Sequence, residues 1–345
     1  MINKKIRDYG INIGKIKTGK NNSITDVKGV KVGHKTLDDG IIKTGVTAIL
    51  PHEDNIFQEK LIAACHVING FGKSTGLIQI EELGTIETPI ILTNTLSVGV
   101  AHESLVKYKL KRNEGIGDTT GTVNPIICEC NDGVINDIRG LHIKQEHIYE
   151  AIENCDIEFT EGNVGAGTGM VCYGLKGGIG SSSRVVELGN MEYTVGVLVL
   201  SNFGSLEDFV LNGDPLGKRL FDKMEEKKIT EDKGSIILIL ATDIPLSSRQ
   251  LKRIIKRVYP GISRTGSYTG NGSGEVVIGF STANRIKHYE DENIIDVKII
   301  NEDKINEVFK ATVEATEEAI LNSLVCSNST TARNGELIHS LEDFL

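Results

Sequence analysis

A layered α/β protein is what this sequence predicts, and three observations predict it. Short runs of β-branched and apolar residues recur between glycine turns, as strands do. Longer segments carry apolar residues at helical spacing, so amphipathic helices are available to cover the sheets. No fixed-period repeat and no low-complexity tail interrupts the 345 residues, enough to bury a sizeable core as one large domain or two interlocked ones.

The elements follow in sequence order. Gly29 to His34 alternates apolar and polar residues, and Thr44 to Leu50 continues in β-branched residues. Leu61 to Ile68 is a third apolar run, followed by the loop Asn69 to Gly76. Pro89 to Asn94 reads as a buried strand, and Val98, Ala101, Leu105 and Tyr108 mark a helix from Val98 to Leu110. A glycine-dense stretch from Gly162 to Gly180 leads through Ser181-Ser182-Ser183-Arg184 into Val185-Val186. A strand is expected at Tyr193 to Leu200, then broken helix from Leu206 to Met224 around Gly213-Asp214-Pro215. Asp222 to Lys233 is charge-rich and reads as a solvated linker. Beyond it, Ser235 to Thr242 is a strand, and Ser247 caps a helix running through Val258. A turn at Thr269 to Gly274 precedes the strand Glu275 to Phe280, and a last helix runs from Asp303 to Leu324.

Composition narrows the function. A net charge of −9 argues against a nucleic-acid surface, which needs a basic footprint. No apolar run approaches the roughly 18–20 residues that span a bilayer. The residues from Met1 to Asp8 carry positive charge with no apolar stretch behind them, unlike a signal peptide. Six cysteines in so long a sequence then read as reduced thiols, and the expected location is the cytoplasm. The 38 glycines against 6 prolines point to tight turns and close backbone approach rather than disorder.

The stretch with most chemical content is Lys233-Gly234-Ser235, where charged residues end at a glycine and an apolar strand starts at once. Cutting the Gly234–Ser235 bond makes Ser235 a chain terminus. Its α-amino group, titrating near pH ~7.7–8.0, is then a base beside its own hydroxyl. The plain alternative is a turn into a buried strand.

Other motifs fare less well. Gly72-Lys73-Ser74 resembles the end of a P-loop, but Val67 stands where the first glycine is required, which favours a structural loop. Gly165-Ala166-Gly167-Thr168-Gly169-Met170 falls short of a dinucleotide fingerprint because Met170 replaces its third glycine. No metal is expected: Cys128-Glu129-Cys130 is Cys-x-Cys, His102-Glu103 lacks a second histidine, and His142 and His147 are five apart. No cofactor is expected either. Asn271-Gly272-Ser273-Gly274-Glu275 is a hairpin turn on its plain reading. On the sharper one, Ser273 and Glu275 point to one side of an extended segment and present a hydroxyl and a carboxylate together.

Taken together, Gly165 to Met170, Lys176-Gly177-Gly178-Ile179-Gly180, Gly234-Ser235, Ala241-Thr242-Asp243 and Asn271 to Glu275 resemble the L-aminopeptidase/D-Ala-esterase/amidase family, which includes the β-peptidyl aminopeptidases. Asn69 to Gly76 and Asn131-Asp132-Gly133 extend the resemblance over nearly the whole sequence, in the family's order. It implies a four-layer α-β-β-α sandwich, similar to the N-terminal-nucleophile hydrolases with different connectivity. It also implies one domain, 1–345, that cuts itself into 1–234 and 235–345. By the same resemblance Ser235 is the nucleophile, Ser273 and Glu275 support it, Asn202 stabilises the oxyanion and Glu129 receives the substrate's amine. A homo-oligomer, often a tetramer, is implied as well. Elementary chemistry agrees: a buried carboxylate suits a cationic amine, and an amide N–H suits an oxyanion. One departure is visible. Family members often carry an aromatic residue, commonly tyrosine, in the loop around Asn131 to Val134, where it assists at the oxyanion, whereas this sequence has Cys130, Asn131 and Val134. That bears on rate and substrate preference, not on the nucleophile.

The function expected is an autoprocessing serine aminopeptidase or amidase acting through an acyl-enzyme on short peptides, amides or esters with a free amine. Two rivals share the architecture. One is an amide hydrolase of ω-amino-acid oligomers like the nylon-oligomer hydrolases, which use threonine where this sequence has Ser235. The other is a non-catalytic binding relative, in which the Gly234–Ser235 bond stays intact.

Overall fold

The computed structural model describes residues 4–224 and 234–345, so most of the charge-rich segment before Ser235 lies outside the described residues. In sequence order the strands are β1 (Lys31–Asp39), β2 (Ile42–Leu50), β3 (Glu59–Gly70), β4 (Thr85–Ile86), β5 (Ile90–Asn94) and β6 (Ile126–Cys130). They continue with β7 (Val171–Cys172), β8 (Leu175–Lys176), β9 (Ile179–Leu188), β10 (Met191–Asn202), β11 (Ser235–Thr242) and β12 (Gly274–Lys287). The helices are α1 (Leu77–Leu83), α2 (Val98–Leu110), α3 (Gln145–Glu153), α4 (Leu216–Met224), α5 (Ser248–Ile255), α6 (Val258–Arg264) and α7 (Ile305–Val325).

Two sheets face each other. One has the order β1-β2-β5-β6 and the other β4-β3-β12-β11-β10-β9. Strand alternation sorts the apolar residues into three interfaces. Ile237, Ile239 and Ala241 of β11 join Leu92, Ile126 and Cys128 of the smaller sheet in the core between the sheets. Ile236, Leu238 and Leu240 turn the other way, onto Leu251 and Ile254 of α5 and Ala315, Ala319 and Ile320 of α7. Val46, Ala48, Ile91 and Ile127 of the smaller sheet pack on α2 and α3 through Ala101, Leu105, Ile148 and Ile152. The result is the expected four-layer α-β-β-α sandwich. Because both faces of β11 are covered, all eight of its residues are buried, and its sequence reads as a continuous apolar run.

Several expected boundaries move, two of them for a clear physical reason. The helix capped by Ser247, whose Oγ accepts from Gln250 N at 3.2 Å, ends at Ile255, and a separate helix starts at Val258. Pro260 explains the break: it has no N–H to give Lys256 O and would collide with that carbonyl in a continuous helix, but fits the first turn of a new one. Strand β12 runs past Phe280 to Lys287, because after a register shift Arg285 to Lys287 resume pairing with Leu61 to Glu59.

The glycine-dense stretch packs backbone against backbone. Gly162 and Ile179 exchange both hydrogen bonds, at 2.7 and 2.8 Å, which closes it into a loop over β9 and β10.

Candidate active site

Register places the site. Ser235 opens β11, with Asn202, the last residue of β10, opposite it on one side and Gly274, the first of β12, on the other. Register partners share a face, so Ser235 and Asn202 turn with Ile237 and Leu200 into the space between the sheets. Strand β6 of the opposing sheet ends there in Cys130. Burial pushes the Cys130 thiol well above its ordinary value, against a smaller opposing pull from the Ser235 hydroxyl that hydrogen-bonds it. The thiol is therefore a neutral neighbour of the hydroxyl. In the sequence Cys130 had stood out only as half of a Cys-x-Cys pair and as one of the residues where an aromatic was expected.

The Gly234–Ser235 peptide is held on both sides. Gly274 N–H donates to Gly234 O at 3.1 Å. A Cβ at Gly234 would lie 2.2 Å from Asn202 O and 2.3 Å from Phe203 Cα, so only glycine fits between β10 and the start of β11. A Cβ at Gly274 would lie 2.5 Å from Phe71 O, which brings the loop after β3 against the same spot.

Asn202 is fixed at both ends of its amide. Its Oδ1 accepts from Val171 N at 2.9 Å, and its Nδ2 donates to Asn131 O at 3.0 Å. That uses one of two Nδ2 protons and leaves the other for a ligand beside Ser235. Asn131 thus contributes a backbone carbonyl at the position where an aromatic was expected, while Val134 is exposed.

Ser273 and Glu275 straddle Gly274, and both side groups are fully buried. Alternation turns Glu275 with Val277 toward the helices, off the pleat that carries the Ser235 hydroxyl. Ser273 Oγ has no hydrogen-bond partner among the described residues, a rare condition for a buried hydroxyl.

Glu129, one residue before Cys130, projects from the other pleat of β6 and is buried. Its Oε1 accepts from Lys73 N at 2.8 Å and its Oε2 accepts from the Thr95 hydroxyl. Lys73 belongs to the loop whose Phe71 carbonyl packs on Gly274, so one loop connects the carboxylate to the strand that pairs with Ser235. Two accepted bonds leave the carboxylate room for an ammonium group. The structure thus gathers Ser235, Asn202, Gly274 and Cys130 directly, with Ser273, Glu275 and Glu129 around them. Among the described residues no group of three or more His, Cys, Asp or Glu side chains is placed to hold a metal ion, and no disulfide joins the six cysteines.

Comparison with known proteins identifies the family and the fold. The sequence profile of peptidase family S58 matches residues 22–338. The protein is similar to the β-peptidyl aminopeptidase BapA of Sphingosinicella microcystinivorans, 38% identical over 362 residues that cover 98% of this chain and 89% of that one. Its fold matches the crystal structure of the PH0078 protein of Pyrococcus horikoshii OT3, with a TM-score of 0.94, 53% identity, and coverage of 99% of this chain and 97% of that one. It also matches the L-aminopeptidase D-Ala-esterase/amidase of Ochrobactrum anthropi, described as a prototype for the serine aminopeptidases and a variant of the Ntn hydrolase fold, with a TM-score of 0.90 and 34% identity. That match covers 98% of this chain and 95% of that one. The chain belongs to peptidase family S58 and is a hydrolase of peptide bonds.

Proposed function

We propose that this protein is an autoprocessing serine aminopeptidase whose nucleophile, Ser235, is released by self-cleavage into residues 1–234 and 235–345. The observation that carries this reading is the 3.1 Å hydrogen bond from Gly274 N–H to Gly234 O. It polarises the carbonyl next to a buried hydroxyl and is already in place to accept negative charge. Attack of Ser235 Oγ on Gly234 C breaks the C–N bond, the hydroxyl proton passes to the Ser235 nitrogen, and water hydrolyses the resulting ester. The products are a carboxylate on Gly234 and an α-amine on Ser235.

In turnover the new amine accepts the Oγ proton as Oγ attacks the substrate carbonyl. Asn202 Nδ2–H meets the oxyanion, and Ser273 and Glu275 hold the amine in register from the other pleat. The leaving amine takes the proton, and water then releases the acyl group. Glu129 pairs with the ammonium group of the substrate, which restricts turnover to peptides, amides or esters with a free N-terminus. Similarity to a β-peptidyl aminopeptidase supports tolerance of β-residues at that end. A homo-oligomer fits the sequence resemblance, a cytoplasmic location fits the cysteine usage and the N-terminal residues, and among the described residues no helix is long and apolar enough to cross a membrane.

The test is a denaturing gel of the purified protein with N-terminal sequencing of the smaller band. Two fragments, the smaller beginning Ser235-Ile236-Ile237, support the reading. An intact polypeptide without peptidase activity overturns it in favour of a binding protein.

A further inference from the structure

Lys176 is fully buried, and the reaction described above does not use it. Its ammonium donates to Gly167 O at 3.0 Å, Met170 O at 2.8 Å and Gly177 O at 2.6 Å, so all three protons are spent on carbonyl oxygens. No carboxylate neutralises it by direct contact among these bonds. Burial pushes its pKa down to about 7, a cost that a methionine of similar volume would not incur. A charge held at such a cost calls for a use.

The Met170–Val171 peptide shows what that use is. Its carbonyl oxygen accepts from Lys176 Nζ, and its N–H, pointing the opposite way across a trans peptide, donates to Asn202 Oδ1 at 2.9 Å. The relay of groups is continuous: ammonium, peptide C=O, the same peptide's N–H, the amide oxygen of Asn202, and finally Nδ2–H beside Ser235. Each bond in such a relay polarises the next, so positive charge at Lys176 strengthens Nδ2–H as a donor. The relay also fixes the sense of the amide. With Val171 N–H bound to Oδ1, Asn202 cannot turn over and offer its oxygen to developing negative charge.

We propose that Lys176 is the positioning residue of the oxyanion site, orienting and polarising Asn202 through the single Met170–Val171 peptide. This rests on the reading of Asn202 as the oxyanion donor. Lys176 touches neither substrate nor nucleophile; it acts through Asn202 alone. Self-cleavage, whose oxyanion forms on Gly234 O against Gly274 N–H, does not depend on it.

The test is a double-mutant cycle on self-cleaved enzyme, with an aminoacyl p-nitroanilide as substrate. Lys176→Met should lower kcat about tenfold or more, with KM changed by less than about twofold and self-cleavage complete. In an Asn202→Ala background the same substitution should change kcat by less than about twofold, because the amide it orients is gone. A Lys176→Met enzyme with wild-type kcat, or one whose loss persists undiminished in the Asn202→Ala background, overturns the proposal. Wild-type kcat in Asn202→Ala alone would instead remove the oxyanion reading, and this proposal with it. Should Lys176→Met not accumulate as folded protein, Lys176→Arg goes through the same cycle. Its planar fork keeps the charge but cannot cap three converging carbonyls, so a kcat loss that vanishes in the Asn202→Ala background is again expected, and an additive loss overturns the proposal.

Discussion

Gly274 N–H donates to the carbonyl oxygen of Gly234 at 3.1 Å, so the bond that precedes Ser235 is gripped by the neighbouring strand before any chemistry occurs. The grip follows from parallel pairing of β11 with β12 in a register that sets Ser235 against Gly274. It separates the two reactions proposed for Ser235, because the oxyanion of self-cleavage has a backbone donor and the oxyanion of turnover has Asn202.

The nucleophile is the first consequence. Ser235→Ala removes the attacking hydroxyl, so the protein should run as one full-length band and have no measurable peptidase activity. Cleavage at Gly234–Ser235 in that variant, seen by gel and mass spectrometry, would reject Ser235 as the nucleophile of self-cleavage. Asn202→Ala, by contrast, should cleave itself yet lose about 10²–10³-fold in kcat.

The carboxylate behind the nucleophile gives a second. Glu275→Gln keeps the shape of the side group and removes its charge, so the fold should persist while kcat falls by about 10²–10⁴-fold. Circular dichroism and steady-state kinetics check both halves. Wild-type turnover would take Glu275 out of the site.

Recognition of the amine is a third. Loss of a charge-assisted contact to an ammonium group costs about 1.5–3 kcal/mol, so Glu129→Gln should raise KM for free-amine substrates roughly 10–100-fold. N-acetylated peptides should be poor substrates of the wild-type enzyme. Equal hydrolysis of acetylated and free peptides would show that Glu129 does not read the amine.

Stability at low pH is a fourth. Arg184 and Glu318 are both fully buried and paired at 2.6 Å, and Arg7 and Asn22 also bond the carboxylate. Burial opposes the charge on Glu318, but Arg7, Arg184 and Asn22 outweigh it and hold the pKa below its ordinary value. The unfolded protein then binds more protons than the folded one as the carboxyl titrates. The contribution is full above the unfolded pKa of about 4.3 and is lost as pH falls through the lower, folded value. Glu318→Ala strands Arg184 without its main partner and should cost about 3–5 kcal/mol, read as a lowered Tm at neutral pH. The Tm difference between variant and wild type should shrink as the pH is taken below about 4.

Much of this protein is legible in its sequence. Strands and helices follow from the spacing of apolar residues, and β11 could be read as central because a run buried on both faces needs no alternation. Gly234-Ser235 stands out because charge gives way to an apolar strand at one residue, and the motifs around it resemble one family in one order. Tertiary structure alone decided the rest. Cys130 meets Ser235 because two sheets face each other, and Asn131 O receives the amide of Asn202 from 71 positions away. Glu275 falls on the opposite pleat from the Ser235 hydroxyl because register pairs Ser235 with Gly274. The donor on Gly234 O and the peptide that links Lys176 to Asn202 are backbone groups. Every residue but proline carries the same N–H and C=O, so no pattern of residue types marks which of them will face the chemistry, and only the register of strands distant in sequence selects them.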